Sequence, residues 1–227
     1  MEIVFGRLVE HDERNFSFAL KTAALKERSY TYPLPEPLDL NQGSVGMCVS
    51  TAIGYDLALS PVFVCDITIP KLKEKIYYEA QKIDPFPGGD YPGANPKKAG
   101  TSVLAGIKVT QALGYFTEYR WVFNAYDLAL GVGSVSPAVI GVNWYSGMMQ
   151  PDQNYQIHPT GTIVGGHAIC VRGVNFKKKV FVLQNSWGAH WGANGCCLMS
   201  FANMDMLLKQ NGDAVFTVNR NKKLLTF

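Results

Sequence analysis

At 227 residues the chain can bury a substantial core without disulfides, as one large domain or as two packed halves. Hydrophobic residues at 47% and charged residues at 17% exclude a disordered or fibrous chain. The net charge of +3 is spread thinly, its densest cluster being Lys177, Lys178 and Lys179, so no basic stripe for nucleic acid is present. That cluster reads as a solvated turn between two strands.

Met1 to Leu8 carries Glu2 and lacks the basic start and apolar run of a secretory signal. No segment is apolar enough to span a bilayer, so no membrane partner is expected. The cysteines Cys48, Cys65, Cys170, Cys196 and Cys197 are odd in number and have no CxxC spacing, which argues against a disulfide framework and against a zinc site. The setting expected is reducing and cytoplasmic, with no metal and no organic cofactor. Cys65, Cys170, Cys196 and Cys197 read as buried core residues, and His11, His158 and His190 as surface residues.

In chain order, Phe5 to Arg28 mixes charge with isolated apolar residues and leads into Tyr30 to Pro37, where alternating prolines force an extended path. This stretch predicts an arm lying on the surface, an extension over residues 1–33 ahead of a domain over 34–227. The Gly-rich turn Gln42 to Gly46 precedes Cys48 to Leu59, whose Val49, Ala52, Ile53 and Leu57 predict a helix starting at Cys48. Pro70 to Ile83 predicts a second helix, with proline at an early helical position and a stop before Pro85. Asp84 to Lys98 holds four prolines and three glycines and predicts a long irregular loop, either a substrate-facing lid or a plain surface loop. Thr101 or Ser102 caps a third helix that Gly114 closes.

Beyond about residue 130 the pattern changes to short apolar runs: Ala138 to Val142, His167 to Val174, Val180 to Gln184, Cys197 to Phe201 and Ala214 to Val218. These predict strands. Helices followed by strands predict an α+β chain, with a helical lobe over about 41–130 and a β lobe over about 131–218 facing each other across a groove.

Three separated segments supply the parts of a thiol nucleophile site. Cys48 stands where a helix begins, so the helix dipole and free amides there favour thiolate. Its own N–H is one oxyanion donor, and the Gln42 side-chain amide is placed to be the second. His167, in Gly165-Gly166-His167-Ala168, is the candidate general base. Asn185, at the end of the following strand, accepts a proton from one imidazole nitrogen if the two strands are neighbours, leaving the other to face Cys48. Trp187 would cover that contact and keep water from competing for it.

Asn41 to Cys48 resembles the glutamine-to-cysteine motif of papain-like (C1 family) cysteine peptidases. Gly166-His167-Ala168 resembles their histidine motif, and Asn185 to Gly195 (NSWGAHWGANG) their asparagine motif. His167 and Asn185 follow Cys48 by 119 and 137 residues, in the family's order. The resemblance covers about residues 34–218 and is strongest to short bacterial and bacteriophage members. It implies a papain-like two-lobed fold, helical on one side and antiparallel β-barrel-like on the other, with the active site between. It further implies a thiol-dependent endopeptidase acting through an acyl-enzyme, with Cys48, His167, Asn185 and Gln42 catalytic and Trp187 supporting. Gly100, Thr101, Ser102, Val103 and Ala168 would line the cleft before the scissile bond, Val103 and Ala168 giving a modest apolar pocket. The implied partner is a peptide or protein substrate, and the chain is expected to be a monomer, in the cytoplasm or, if phage-encoded, in the virion.

Two departures from the pattern stand out. Val45 replaces the cysteine of most secreted relatives, and Val49 replaces the aromatic residue that usually follows the nucleophile. No segment resembles the family's long helical propeptide, so restraint by some other device is expected. Two other readings remain: a cell-wall peptide amidase or acyl transferase using the same site, and a catalytically silent binding or structural phage protein. The NSWG segment disfavours the first, and the intact Gln42, Cys48, His167 and Asn185 set disfavours the second.

Overall fold

The computed structural model describes residues 3–36 and 38–227. Met1 and Glu2 of the arm, and Pro37 of the proline-rich path, lie outside them.

The arm begins with β1 (Arg7–Leu8), continues through a 3-10 turn at Glu13–Phe18 and ends in β2 (Tyr30–Thr31). Asp12 starts the 3-10 turn by accepting from the Arg14 backbone N–H. A surface path holds for much of the arm but fails at its start. Gly6 and Arg7 are buried, because this segment threads between the helical region and the sheet.

α1 (Cys48–Ala58) is buried along its whole length, and its apolar face packs on the sheet. A buried helix must satisfy its polar side chains. Accordingly, the Ser50 and Thr51 hydroxyls donate to the Met47 carbonyl at 2.9 Å each. Asp56 meets Arg220 at 2.7 Å and accepts from the Thr217 hydroxyl at 2.7 Å, tying α1 to the last strand.

The second predicted helix comprises α2 (Ile69–Leu72), a π-helical turn at Lys73–Tyr77 and α3 (Tyr78–Ile83). The irregular loop that follows folds back through Lys98, which pairs with Asp84 at 3.0 Å. β3 (Thr101–Ser102) then leads into α4 (Val103–Ala112), capped by the Ser102 hydroxyl on the Ala105 N–H, while Gly114 at φ +87° ends the segment.

β4 (Phe116–Trp121), α5 (Ala125–Ser134) and β5 (Ala138–Tyr145) follow. Next come β6 (Ile163–Asn175), β7 (Val180–Gln184), β8 (Cys196–Ser200), α6 (Phe201–Lys209) and β9 (Asp213–Arg220). The antiparallel sheet runs β4-β9-β5-β6-β7-β8, and β2 pairs with β6. Lys177 to Lys179 form the β6–β7 turn, as expected. β4, α5 and α6 had no clear sequence signal: α5 is apolar nearly all round, and α6 is only nine residues long.

One apolar cluster runs from Met47, Ile53 and Leu57 of the α1 region to Val139, Val171, Phe181 and Phe216 of the sheet. All five cysteines are free. Cys65 corrects the core reading, because it is exposed, on a loop bridged to Thr226, whereas Cys170, Cys196 and Cys197 are buried. No helix among the described residues is long and apolar enough to cross a membrane.

Candidate active site

Cys48 is the first residue of α1, and the preceding Met47 offers no side-chain cap. The free amides of the first turn therefore point their partial positive charge toward the sulfur. Cys48 Sγ accepts the Ala168 N–H at 3.4 Å, which sets it directly beside the strand that carries His167.

β6 and β7 are antiparallel neighbours, with Cys170 opposite Gln184. That register sets Asn185 beside His167, and His167 Nε2 meets Asn185 Oδ1 at 2.8 Å. Because Oδ1 only accepts, Nε2 carries the proton and Nδ1 is left with a free lone pair. Nδ1 is buried and has no hydrogen-bond partner among the described residues.

The His167 ring sits in an aromatic cage. Trp187 lies 4.9 Å away between ring centroids, Trp144 meets it edge-on at 4.7 Å, and Phe5 closes a third side at 6.1 Å. Rings on three sides exclude water from the His167–Asn185 contact, which strengthens it. Trp144, at the far end of β5, was not singled out in the sequence. Its signal, one large aromatic in an apolar strand, is the same as that of a core residue.

Gln42 is held by its neighbours: its Oε1 accepts from the Ser186 hydroxyl at 2.6 Å, and its backbone N–H donates to the Ser186 carbonyl at 2.9 Å. This leaves Nε2 to point outward, where it donates to the Val45 carbonyl at 2.8 Å and to the Val4 carbonyl at 3.1 Å. Val4 belongs to the arm.

The arm fills the rest of the cleft. The Gly6 backbone lies close enough to Cys48 to pull its thiol pKa down, and the Gly6 carbonyl accepts from Thr101 N–H at 2.9 Å. β1 pairs in parallel with β3, Arg7 opposite Thr101. Only glycines permit this approach: a Cβ on Gly6 would fall 1.8 Å from the Gly46 carbonyl oxygen, and one on Gly166 would fall 2.2 Å from the Arg7 carbonyl oxygen. Cys48 and His167 consequently have no exposed surface.

Burial sets their protonation. It pushes the Cys48 thiol up to about 11, although the N–H groups of Ala168, Gly6 and Val49 and the Arg7 charge all pull it down. Burial likewise lowers His167 to about 4, against an opposing pull from Asn185. The thiolate expected from the helix dipole is therefore not the form favoured with the arm in place. Desolvation of the sulfur outweighs the dipole and the amides.

Of the five residues expected to line the cleft, Gly100, Thr101 and Ser102 border the arm directly. A Cβ on Gly100 would lie 2.6 Å from the Gly6 carbonyl oxygen, and Ser102 Oγ donates to Glu10. The Thr101 side chain turns away to Asp84, at 2.7 Å. Val103 approaches Gly141, and Ala168 contributes its N–H to the sulfur. The modest apolar pocket expected from Val103 and Ala168 is instead occupied by a buried ion pair, Arg7 with Asp213 at 2.7 Å. Asp213 was missed in the sequence because a lone carboxylate at the head of an apolar strand looks like a strand terminus.

No family model matches the chain. An uncharacterized peptidase C1-like protein of Acanthamoeba polyphaga mimivirus is 25% identical over a 211-residue alignment that covers 71% of this chain. The chain spans only 64% of that protein's length. Among solved structures, xylellain, a cysteine protease from Xylella fastidiosa, superposes with a TM-score of 0.68 at 20% identity, covering 96% of each chain. A digestive procathepsin L2 proteinase from the Tenebrio molitor larval midgut superposes with a TM-score of 0.56 at 16% identity, covering 95% of this chain and 78% of its own. These likenesses join the Cys48, His167 and Asn185 arrangement in one conclusion: the chain has the papain-like fold and resembles the C1 cysteine peptidases.

Proposed function

We propose that the chain is a thiol-dependent endopeptidase whose nucleophile is Cys48, with His167 as general base, Asn185 orienting the imidazole and Gln42 completing the oxyanion site. The observation that carries this reading is the 2.8 Å bond between His167 Nε2 and Asn185 Oδ1, which frees Nδ1 on the strand that also donates an N–H to Cys48 Sγ. His167 Nδ1 takes the thiol proton, the sulfur attacks the scissile carbonyl, and the oxyanion rests on the Cys48 N–H and Gln42 Nε2. The imidazolium then protonates the leaving amine. Water, deprotonated by the same nitrogen, hydrolyses the thioester and returns the free thiol.

The arm stands where a substrate chain would lie, with the Val4 carbonyl on Gln42 Nε2 and Gly6 over the sulfur. The described conformation is therefore a closed one, and turnover requires the arm to leave. The expected substrates are peptides or unfolded protein segments, and residues 34–227 form the peptidase domain.

The test is labelling of the full chain by an epoxide thiol probe under reducing conditions, together with turnover of a mixed peptide library. Cys48→Ala should abolish both. Neither labelling nor turnover, in the wild-type chain and in the Arg7→Ala chain whose arm is released, would sink the reading.

A further inference from the structure

Outside the cleft, a cavity of about 400 Å³ lies between the arm and the rest of the protein, within the size range of small-molecule sites. One wall is the stretch of arm that follows the segment seated over Cys48, residues 10–13, 15 and 16. The other is built by residues 121–123 at the end of β4 and by residues 208, 209 and 211–214, which lead from α6 into β9. Aromatic rings come from both walls: Phe16 of the 3-10 turn stacks on Phe123 at 4.5 Å between ring centroids, yet the two residues are 67% and 39% exposed. Rings left this open offer a flat ligand a surface to cover.

The polar part of the lining is acidic, and two of its carboxylates are not fully used. Asp12 is paired with Arg14, and Glu10 accepts from the Ser102 hydroxyl. Glu13, by contrast, has no hydrogen-bond or ion-pair partner among the described residues. Asp213 is nine-tenths buried, gives Oδ2 to Arg7 and leaves Oδ1 without a donor. The nearby Lys209 ammonium does not neutralise them, because Asp205 of the same helix holds it at 2.7 Å. In the same lining the Trp121 indole N–H is buried without an acceptor. Spare carboxylate oxygens, a spare donor and open aromatic faces together suit a cation that carries a ring and an oxygen.

We propose that this cavity binds a small aromatic amine, its ammonium meeting the unused oxygens of Glu13 and Asp213, its ring against Phe16 and Phe123, and an oxygen substituent serving the Trp121 N–H. The site is complete only while the arm is seated, because the arm supplies one of its two walls. A ligand that binds only the closed form shifts the equilibrium toward it. The amine therefore holds the arm down from outside the cleft, without touching Cys48 or His167.

The experiment uses the full wild-type chain and two probes of matched shape: tyramine, and phloretate, in which a carboxylate replaces the ammonium. Calorimetry should show saturable binding of tyramine and binding of phloretate weaker by roughly tenfold or more. With free tyramine at about ten times its dissociation constant, hydrogen exchange at the amides of residues 6–8 should slow by about tenfold. Glu13→Gln and Phe16→Ala, both at exposed positions where folding is not at stake, should each weaken tyramine by roughly threefold or more. No saturable binding, equal affinity for phloretate, an affinity unmoved by both substitutions, or exchange at residues 6–8 that is unchanged or faster would overturn the proposal. Neither readout uses the chemistry of Cys48, so the outcome is independent of the peptidase reading.

Discussion

Gln42 Nε2 donates to the Val4 carbonyl at 3.1 Å, so the amide that would steady a reacting carbonyl oxygen is engaged by a carbonyl of the arm. The same arm covers the sulfur and fills the neighbouring pocket. Closure is therefore achieved at three points, none of which requires a change in the site itself.

Release of the arm should follow from Arg7→Ala. The change removes a charge pair and a side chain buried at 0% exposure, and breaking such a pair costs about 3 kcal/mol or more. The rate of Cys48 modification by an epoxide probe should rise by roughly tenfold or more. An unchanged rate would show that the arm does not control access.

Gly6→Ala tests closure from the other side. The new methyl would fall 1.8 Å from the Gly46 carbonyl oxygen, backbone that cannot give way, so the arm should lift from the cleft. Limited proteolysis should then cut within residues 3–10 of the variant, while leaving the wild type intact there. Resistance equal to the wild type would mean the arm re-seats with a small shift.

Gln42→Ala should lower kcat by about 10²- to 10³-fold, with KM little changed, because the lost donor acts on charge that develops only during reaction. The Ser186 hydroxyl would lose its acceptor as well, so a modest fall in melting temperature is expected. Steady-state kinetics on the Arg7→Ala background separates the two effects.

Acid should favour opening. His167 is held at about 4 when buried, against an ordinary 6.5, so the closed state binds fewer protons there than an open or unfolded one. Its contribution to closure is complete above about pH 6.5 and is lost as pH falls toward 4, a total on the order of 3 kcal/mol. The Asp213 carboxyl, which burial pushes up despite Arg7, binds more protons in the closed state and offsets part of this at the acid end. Probe labelling normalised to a free thiol should therefore rise on moving from pH 7 to pH 5. A flat profile would place the control elsewhere.

The arrangement of the candidate site was legible because it depends on local motifs joined by strand order. Cys48 needed only a helix start, and His167 and Asn185 needed only neighbouring strands, which β6 and β7 supply. Gln42 was legible from its six-residue lead on Cys48. What the sequence did not carry was the course of the arm. Ile3 to Glu10 has no helical or strand period, and its fit depends on glycines at positions 46, 100 and 166, far apart in the chain. The Arg7–Asp213 pair spans 206 residues, and a contact at that separation leaves no local pattern. The neutral Cys48 followed from the same omission, since the water that would have favoured thiolate is displaced by residues read as surface.

The arm is also anchored downstream, where Tyr30–Thr31 pairs with β6 and the Tyr32 N–H donates to the Arg172 carbonyl. A nearer anchor lies at Ala19–Leu20, which bridges to Trp121 with the Leu20 N–H on the Trp121 carbonyl at 2.8 Å, so only about eight residues separate Glu10 from a fixed point, and the occupant is held near the cleft at an effective concentration of about the millimolar range. A plug confined in this way needs little intrinsic affinity to exclude competitors. A single nick between Glu10 and Ala19 would turn the plug into an ordinary diffusible ligand, and dilution alone would then set the cleft free.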